Sequence, residues 1–316
     1  PLSSLVAEME ELRSMAELLK QGWRPRRTII YMAWDGEEQG IIGSTEWVET
    51  HLDELKQKAV LYINTDTNGR GYLGMDGSHS LERFINEVAK EIVDPETGLS
   101  AWKRAQFRRI AEGSPGQREE ARRRGDLRIG ALGSGSDYSP FLQHAGLAAM
   151  NIGFGGEGGD GLYHSNYDTF ERFIRFNDTS FVYAKALAQT IGTAIIRLAS
   201  AEILPFQFTN MADTYGIYLN EVKALATSRR AEIIERNRQI EEGVFAATTD
   251  PWTSRTPPAR QAVPGYLNFA PLENAMVALR QAADQYEVAL ARPRAGGVRA
   301  EANQLIRQVE AALTND

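Results

Sequence analysis

The sequence contains no cysteine, which excludes a disulfide-stapled scaffold, a thiolate metal site and a cysteine nucleophile. It has no apolar run approaching the roughly 18 residues that a membrane-spanning helix needs. Positive charge is not in excess either. The 35 Lys and Arg stand against 42 Asp and Glu, for a formal net charge of −7 and a pI near 5.4, and that balance argues against a dedicated nucleic-acid binder. Internal repeats and low-complexity tracts are lacking, and only 4 histidines occur in 316 residues. What is present is apolar substance: 42% of the chain is hydrophobic, enough for the core of one large domain or two ordinary ones.

The pattern along the chain has two regimes. Leu5, Met9, Leu12, Met15 and Leu19 recur at helical spacing, and Arg27 to Trp34 (RTIIYMAW) is a β-branched and aromatic run that predicts a buried strand. A helix is expected from Ser44 to Lys58, a second strand over Ala59 to Asn64, a helix over 81–93, and a short strand over Ala148 to Phe154. The stretch 94–128 is polar and arginine-rich and reads as a solvated excursion from the sheet; a long helix from about Asp178 to Ser200 closes the region. Helices alternating with hydrophobic strands predict an α/β fold, with a mixed, mostly parallel sheet flanked by helices. Beyond Leu204-Pro205 only helical rhythm remains: Met211, Tyr215, Tyr218, Val222 and Leu225, then Leu272, Met276, Leu279, Ala283, Tyr286 and Leu290, on either side of a Pro/Thr-rich loop over 248–266. These patterns divide the chain into an α/β domain over 1–203 and an all-α module over 204–316.

Chemistry concentrates at strand ends, where open α/β sheets hold their ligands. Trp34 is followed by Asp35-Gly36-Glu37-Glu38, β-strand 59–64 runs into Asn64-Thr65-Asp66, and the Gly-rich loop 153–161 leads to Leu162-Tyr163-His164-Ser165. Singly, each has an ordinary explanation: a solvated charged turn, an Asx turn, a surface histidine. Together they offer carboxylate oxygens and an imidazole, the donor set of a zinc site without thiolates. Adjacent glutamates can divide the work, one binding metal and the other moving a proton. The glycines of 153–161 are not followed by a Lys-Ser/Thr, so a mobile loop is expected there rather than a phosphate cradle.

The segments RPRRTIIYMAWDGEEQGIIGSTEWVE, YINTD, ALGSGSDYSPFLQHAGLA and LYHSNYDT, in this order, resemble the M28 zinc peptidases of the glutamate carboxypeptidase II and transferrin receptor branch. The tail from Leu204-Pro205-Phe206 is similar to that branch's helical dimerisation domain. The resemblance implies an exopeptidase, of carboxypeptidase or aminopeptidase type, with a dinuclear zinc centre, peptide substrates, a homodimer and an extracytoplasmic location. It assigns Glu37 as the general base, Glu38 and His164 as ligands of one zinc, Asp66 as a ligand of the other, and Tyr163 as a group polarising the scissile carbonyl. Glu46 and Glu49, at i and i+3, correspond to carboxylates that hold a calcium in some relatives. Ser134, Gly135 and Ser136 correspond to residues lining the substrate pocket.

Departures from the family pattern carry expectations too. The family's upstream His and bridging Asp have no counterpart in these residues, and neither does its C-terminal segment of substrate contacts. The chain starts at Pro1 and stops in helical phase at Leu313, so both ends read as cut, and weak zinc binding with little peptidase activity is expected of this polypeptide alone. Where glutamate-preferring members carry two arginines, this sequence has Asn151 and Gly153, which removes the basis for a strong acidic preference. The competing expectation is a catalytically silent, receptor-like dimer of the same fold; a helical interaction module with a vestigial α/β domain is a third.

Overall fold

A computed structural model describes residues 2–157, 162–250, 252, 256, 258–292 and 296–314. In chain order, its elements are α1 (Leu2–Lys20), α2 (Ile42–Thr50), α3 (Leu52–Lys58), β1 (Leu61–Asn64), β2 (Gly71–Gly77), α4 (Glu82–Glu91), α5 (Ala101–Glu112), α6 (Pro115–Arg123) and β3 (Ala148–Gly156). There follow α7 (Phe170–Arg172), α8 (Val182–Ser200), α9 (Thr209–Glu241), α10 (Val244–Thr248), α11 (Ala270–Leu290) and α12 (Gly296–Thr314). The chain forms two compact units, one of residues 1–210 with 291–316 and one of residues 211–290. The sequence pattern groups 204–316 as one module, whereas α12 clusters with the first unit: Asn303 accepts from the Leu204 amide at 2.8 Å and Ser80 donates to Glu310 at 3.0 Å.

The sheet of the first unit has the order β1-β3-β2, with β1 parallel and β2 antiparallel to β3. It is therefore mixed, as expected, but not mostly parallel, since its two pairings divide evenly. β3 is central and reads as a near-continuous apolar run, burying Ala148, Ala149, Met150, Ile152 and Phe154. β2 at its edge alternates, with Leu73 and Met75 inward. Helix α8 buries Tyr183, Leu187, Ile191, Ala194 and Leu198 at helical spacing and packs against α1. Gly192 lets the helices approach: a Cβ there would lie 3.4 Å from both Glu11 and Met15. Asp178 caps α8, its carboxylate accepting from the amides of Tyr183 and Ala184 at 3.0 and 2.9 Å.

Three sequence expectations change. Residues 27–34 join no ladder; they and β1 both line a cleft of about 890 Å³. The reason is anchorage elsewhere: the Arg27 guanidinium donates to the carbonyls of Leu198 and Ala201, the Arg26 amide to Ala199, and the Tyr31 hydroxyl to Glu11 on α1. The helix expected over 44–58 breaks at His51, whose ring stacks on Trp47 at 4.3 Å and whose Nδ1 lies 2.8 Å from the Trp47 carbonyl. The arginine-rich stretch 94–128 is not a solvated excursion but carries α5 and α6, with Ala101, Ala105, Ala121 and Leu127 buried. Of the expected loop 153–161, residues 153–156 finish β3, and 158–161 lie outside the described residues.

Beside β1, Val48, Phe141, Ala145 and Leu147 form a small core against which Trp34, Trp47 and Tyr62 pack. Tyr62 lies flat on Phe141, with ring centroids 4.0 Å apart and 3° between planes. Trp34 sits 5.6 Å from Trp47 and 5.9 Å from Phe141. This aromatic packing fixes the residue that immediately precedes the acidic turn, and so bears directly on the site.

Candidate active site

The acidic turn is shaped by its backbone. The Gly43 amide donates to the Asp35 carbonyl at 3.0 Å and the Ile41 amide to the Glu37 carbonyl at 2.8 Å. A Cβ at Gly43 would lie 2.3 Å from the Asp35 carbonyl oxygen, so only glycine lets the turn close this tightly. It presents Glu37 half-buried and Glu38 exposed. The other carboxylate arrives by register: β1 ends at Asn64, two residues before Asp66.

His164 comes to the same place from a separate turn, closed by the Ser165 amide on the Leu162 carbonyl at 2.9 Å. Its φ of +59° is a left-handed conformation that a side chain of this size adopts at a cost. The His164 Nε2 lies 2.9 Å from Glu38 Oε1, and its ring stacks on that of Tyr163 at 3.7 Å. Tyr163 is otherwise open to solvent at 66% exposure, free to meet a molecule entering the site.

Electrostatics tie the three segments together. The Glu37 carboxyl is raised above its ordinary range, first by partial burial and then by the negative charges of Asp66, Asp137 and Glu38, with His164 opposing. Tyr163 is raised by desolvation and by Glu38, Asp66 and Glu37. A carboxyl with raised proton affinity among acceptors is suited to taking and returning a proton.

The donor set has the chemistry of a zinc site, and Glu38 with His164 is in direct contact. Among the described residues, however, no group of three or more His, Asp or Glu closes around a point where an ion could sit. Glu46 and Glu49 are both exposed on α2, and no third described donor completes a group with them. Ser134 and Gly135 are exposed, whereas Ser136 is buried and donates to Asp66 Oδ2 at 3.0 Å. Sequence reasoning passed over two residues. Asp137 accepts from the Ser44 hydroxyl at 2.6 Å and is itself raised by burial and by Asp66. Tyr62 bonds to Asn64. The Ser-Asp adjacency at 136–137 was the available signal for the first; nothing local marked the second.

Comparison with known proteins bears on this arrangement. The model of Peptidase family M28 matches residues 9–180, a span that includes Glu37, Glu38, Asp66, Asp137, Tyr163 and His164. The chain is 37% identical over 214 residues to a probable glutamate carboxypeptidase of Arabidopsis thaliana, covering 67% of this chain and 29% of that protein. It is 34% identical over 225 residues to a probable glutamate carboxypeptidase of Arthroderma benhamiae, covering 70% and 29%. Against the aminopeptidase NAALADL1 of Rattus norvegicus the figure is 32% over 229 residues, covering 69% and 30%. The aligned stretch is thus about 30% of the length of the curated relatives it matches. The matched span and these identities make the chain a member of peptidase family M28, of its glutamate carboxypeptidase-like group.

Proposed function

We propose that the protein hydrolyses peptide bonds near a chain terminus with a dinuclear zinc centre built on Glu38 and His164 for one ion and Asp66 for the other. The observation that supports this reading most is the direct contact of His164 with Glu38, next to the half-buried Glu37 whose charge environment includes Asp66. M28 peptidases are generally zinc-dependent, and zinc would supply Lewis acidity to water and to the scissile carbonyl. Glu37 takes the proton of the attacking water and returns it to the leaving amine. The Tyr163 hydroxyl donates to the carbonyl oxygen as charge develops there. Ser134, Gly135 and Ser136 line the substrate pocket, and with Asn151 and Gly153 in place of cations there is no strong preference for acidic side chains. Calcium held at Glu46 and Glu49 would brace α2.

The reading extends to assembly. The helices of 204–316 pair two copies, in keeping with apolar side chains left exposed on α9 and α11, among them Val222, Leu225, Ile234, Leu272 and Val277. Among the described residues Glu38 and His164 are in direct contact, but no group of three donors closes around one point. The same observation favours the second reading, a receptor-like dimer without catalysis, which requires neither zinc nor turnover. Glu37→Gln in the intact gene product separates them. Peptide turnover should fall by about 10²- to 10⁴-fold, as expected for loss of a general base, while zinc content stays that of the unsubstituted protein; undiminished turnover would remove Glu37 from the mechanism.

A further inference from the structure

Behind Asp66 lies a line of hydrogen bonds in which every donor is determined. The Trp34 indole Nε1 lies 3.1 Å from the Tyr62 hydroxyl oxygen, the Tyr62 hydroxyl 2.9 Å from Asn64 Oδ1, Asn64 Nδ2 3.1 Å from Ser136 Oγ, and Ser136 Oγ 3.0 Å from Asp66 Oδ2. An indole N–H can only donate, so the Tyr62 oxygen accepts from it; at the other end a carboxylate only accepts, so the Ser136 proton goes to Asp66 Oδ2 and Ser136 Oγ accepts. That fixes the Asn64 amide with its NH₂ toward Ser136 Oγ and its Oδ1 toward the Tyr62 proton. Turning the Asn64 amide over would set its oxygen against the Ser136 oxygen and leave the Tyr62 proton without its acceptor, whereas the Asn151 amide, bonded to Asn64 Nδ2 at 3.0 Å, can turn with it.

The surroundings hold this line in place. Asn64 and Ser136 are buried at 5% and 4% exposure, so each unmade bond would be costly. Burial also keeps the Tyr62 phenol protonated, with its proton affinity raised well above the ordinary range. The Ser136 carbonyl accepts from both the Ser139 amide at 2.9 Å and the Ser139 hydroxyl at 2.8 Å, which anchors the serine backbone. Trp34 stands one residue before the acidic turn, so the line joins the segment carrying Glu37 and Glu38 to the carboxylate of Asp66.

We propose that Trp34, Tyr62, Asn64 and Ser136 form a one-way hydrogen-bond wire that orients the Asp66 carboxylate for metal binding and sets its position relative to the acidic turn. The proposal rests on the reading of Asp66 as a zinc ligand. Tyr62 and Asn64 are then positioning residues that touch neither metal nor substrate. Partners of this kind behind a ligand commonly tune metal affinity and activity by about 10- to 100-fold.

The test is titration of the intact gene product with Zn²⁺ in competition with a chromogenic chelator. Tyr62→Phe keeps the ring stacked on Phe141 and deletes only the hydroxyl, while Asn64→Asp is isosteric and draws the Ser136 proton away from Asp66. Both should bind zinc about tenfold or more weakly, with kcat lowered at unchanged KM. Asn151→Ala removes a hydrogen bond from the same Asn64 amide but leaves the line to Asp66 uncut, so its zinc affinity should stay within about twofold. Unchanged zinc affinity in both Tyr62→Phe and Asn64→Asp overturns the wire while leaving the zinc reading intact. An unsubstituted protein that takes up no zinc overturns the zinc reading, and the wire's proposed role with it.

Discussion

Glu37 and His79 show two uses of burial at single residues. Around Glu37, partial desolvation and three neighbouring carboxylates raise proton affinity at the mouth of a cleft. His79, only 4% exposed, is pushed down from 6.5 to about 4, first by burial and then by Arg128. A histidine that is neutral when folded binds fewer protons than in the unfolded chain, so its contribution to stability is full above about pH 6.5 and is lost as pH falls toward 4. The shift corresponds to a loss on the order of 3 kcal/mol across that window. His79→Gln should flatten this part of the pH profile, read from urea midpoints at pH 7.5 and 4.5; an equally steep fall would place the acid sensitivity elsewhere. At this scale the sequence singled out Glu37, Glu38, Asp66 and His164 as carboxylates and a rare imidazole beside apolar runs, and the structure sets His164 against Glu38. The sequence did not show Tyr62 or Asp137, since the partners that give them meaning, Trp34 and Ser44, are far away in sequence.

Among the elements, periodicity was a sound guide where one element's own pattern decides its burial. The central strand β3 and helix α8 lie close to where apolar spacing put them. Residues 27–34 have strand composition, but a ladder needs a partner at hydrogen-bonding distance, and their anchors on α1 and α8 are tertiary facts. The arginine-rich stretch misled for a similar reason. Arg104 on α5 is buried because carboxylates from three other positions meet it: Asp94 at 2.8 Å, Glu96 at 2.8 Å and Glu157, with the Tyr183 hydroxyl at 2.7 Å. Arg104→Met should destabilise the first unit by roughly 3–5 kcal/mol, because Asp94, 1% exposed in its side chain, loses its cation without regaining water. Denaturant unfolding measures this; a change under about 1 kcal/mol, the worth of a surface pair, would show that the cluster is effectively solvated.

For the whole molecule, the division of labour follows from where the apolar surface goes. In the first unit, α8 and the sheet bury most of their apolar side chains, whereas α1 buries Ala7 and Met15 and leaves Leu2, Val6, Met9, Leu12 and Leu19 exposed. In the second, α9 and α11 keep apolar residues exposed, in keeping with the proposed pairing of two copies. The sequence divided the chain near 204 because strand signals stop there, but it could not tell that α12 returns to the first unit, since an amphipathic helix carries no label for the surface it covers. The central claim, a dinuclear zinc peptidase that works as a dimer, is tested most directly by native mass spectrometry of the intact gene product, which counts metal and chains together. Two chains with two zinc ions each is the predicted result; a folded particle that holds no zinc after incubation with the metal would contradict it.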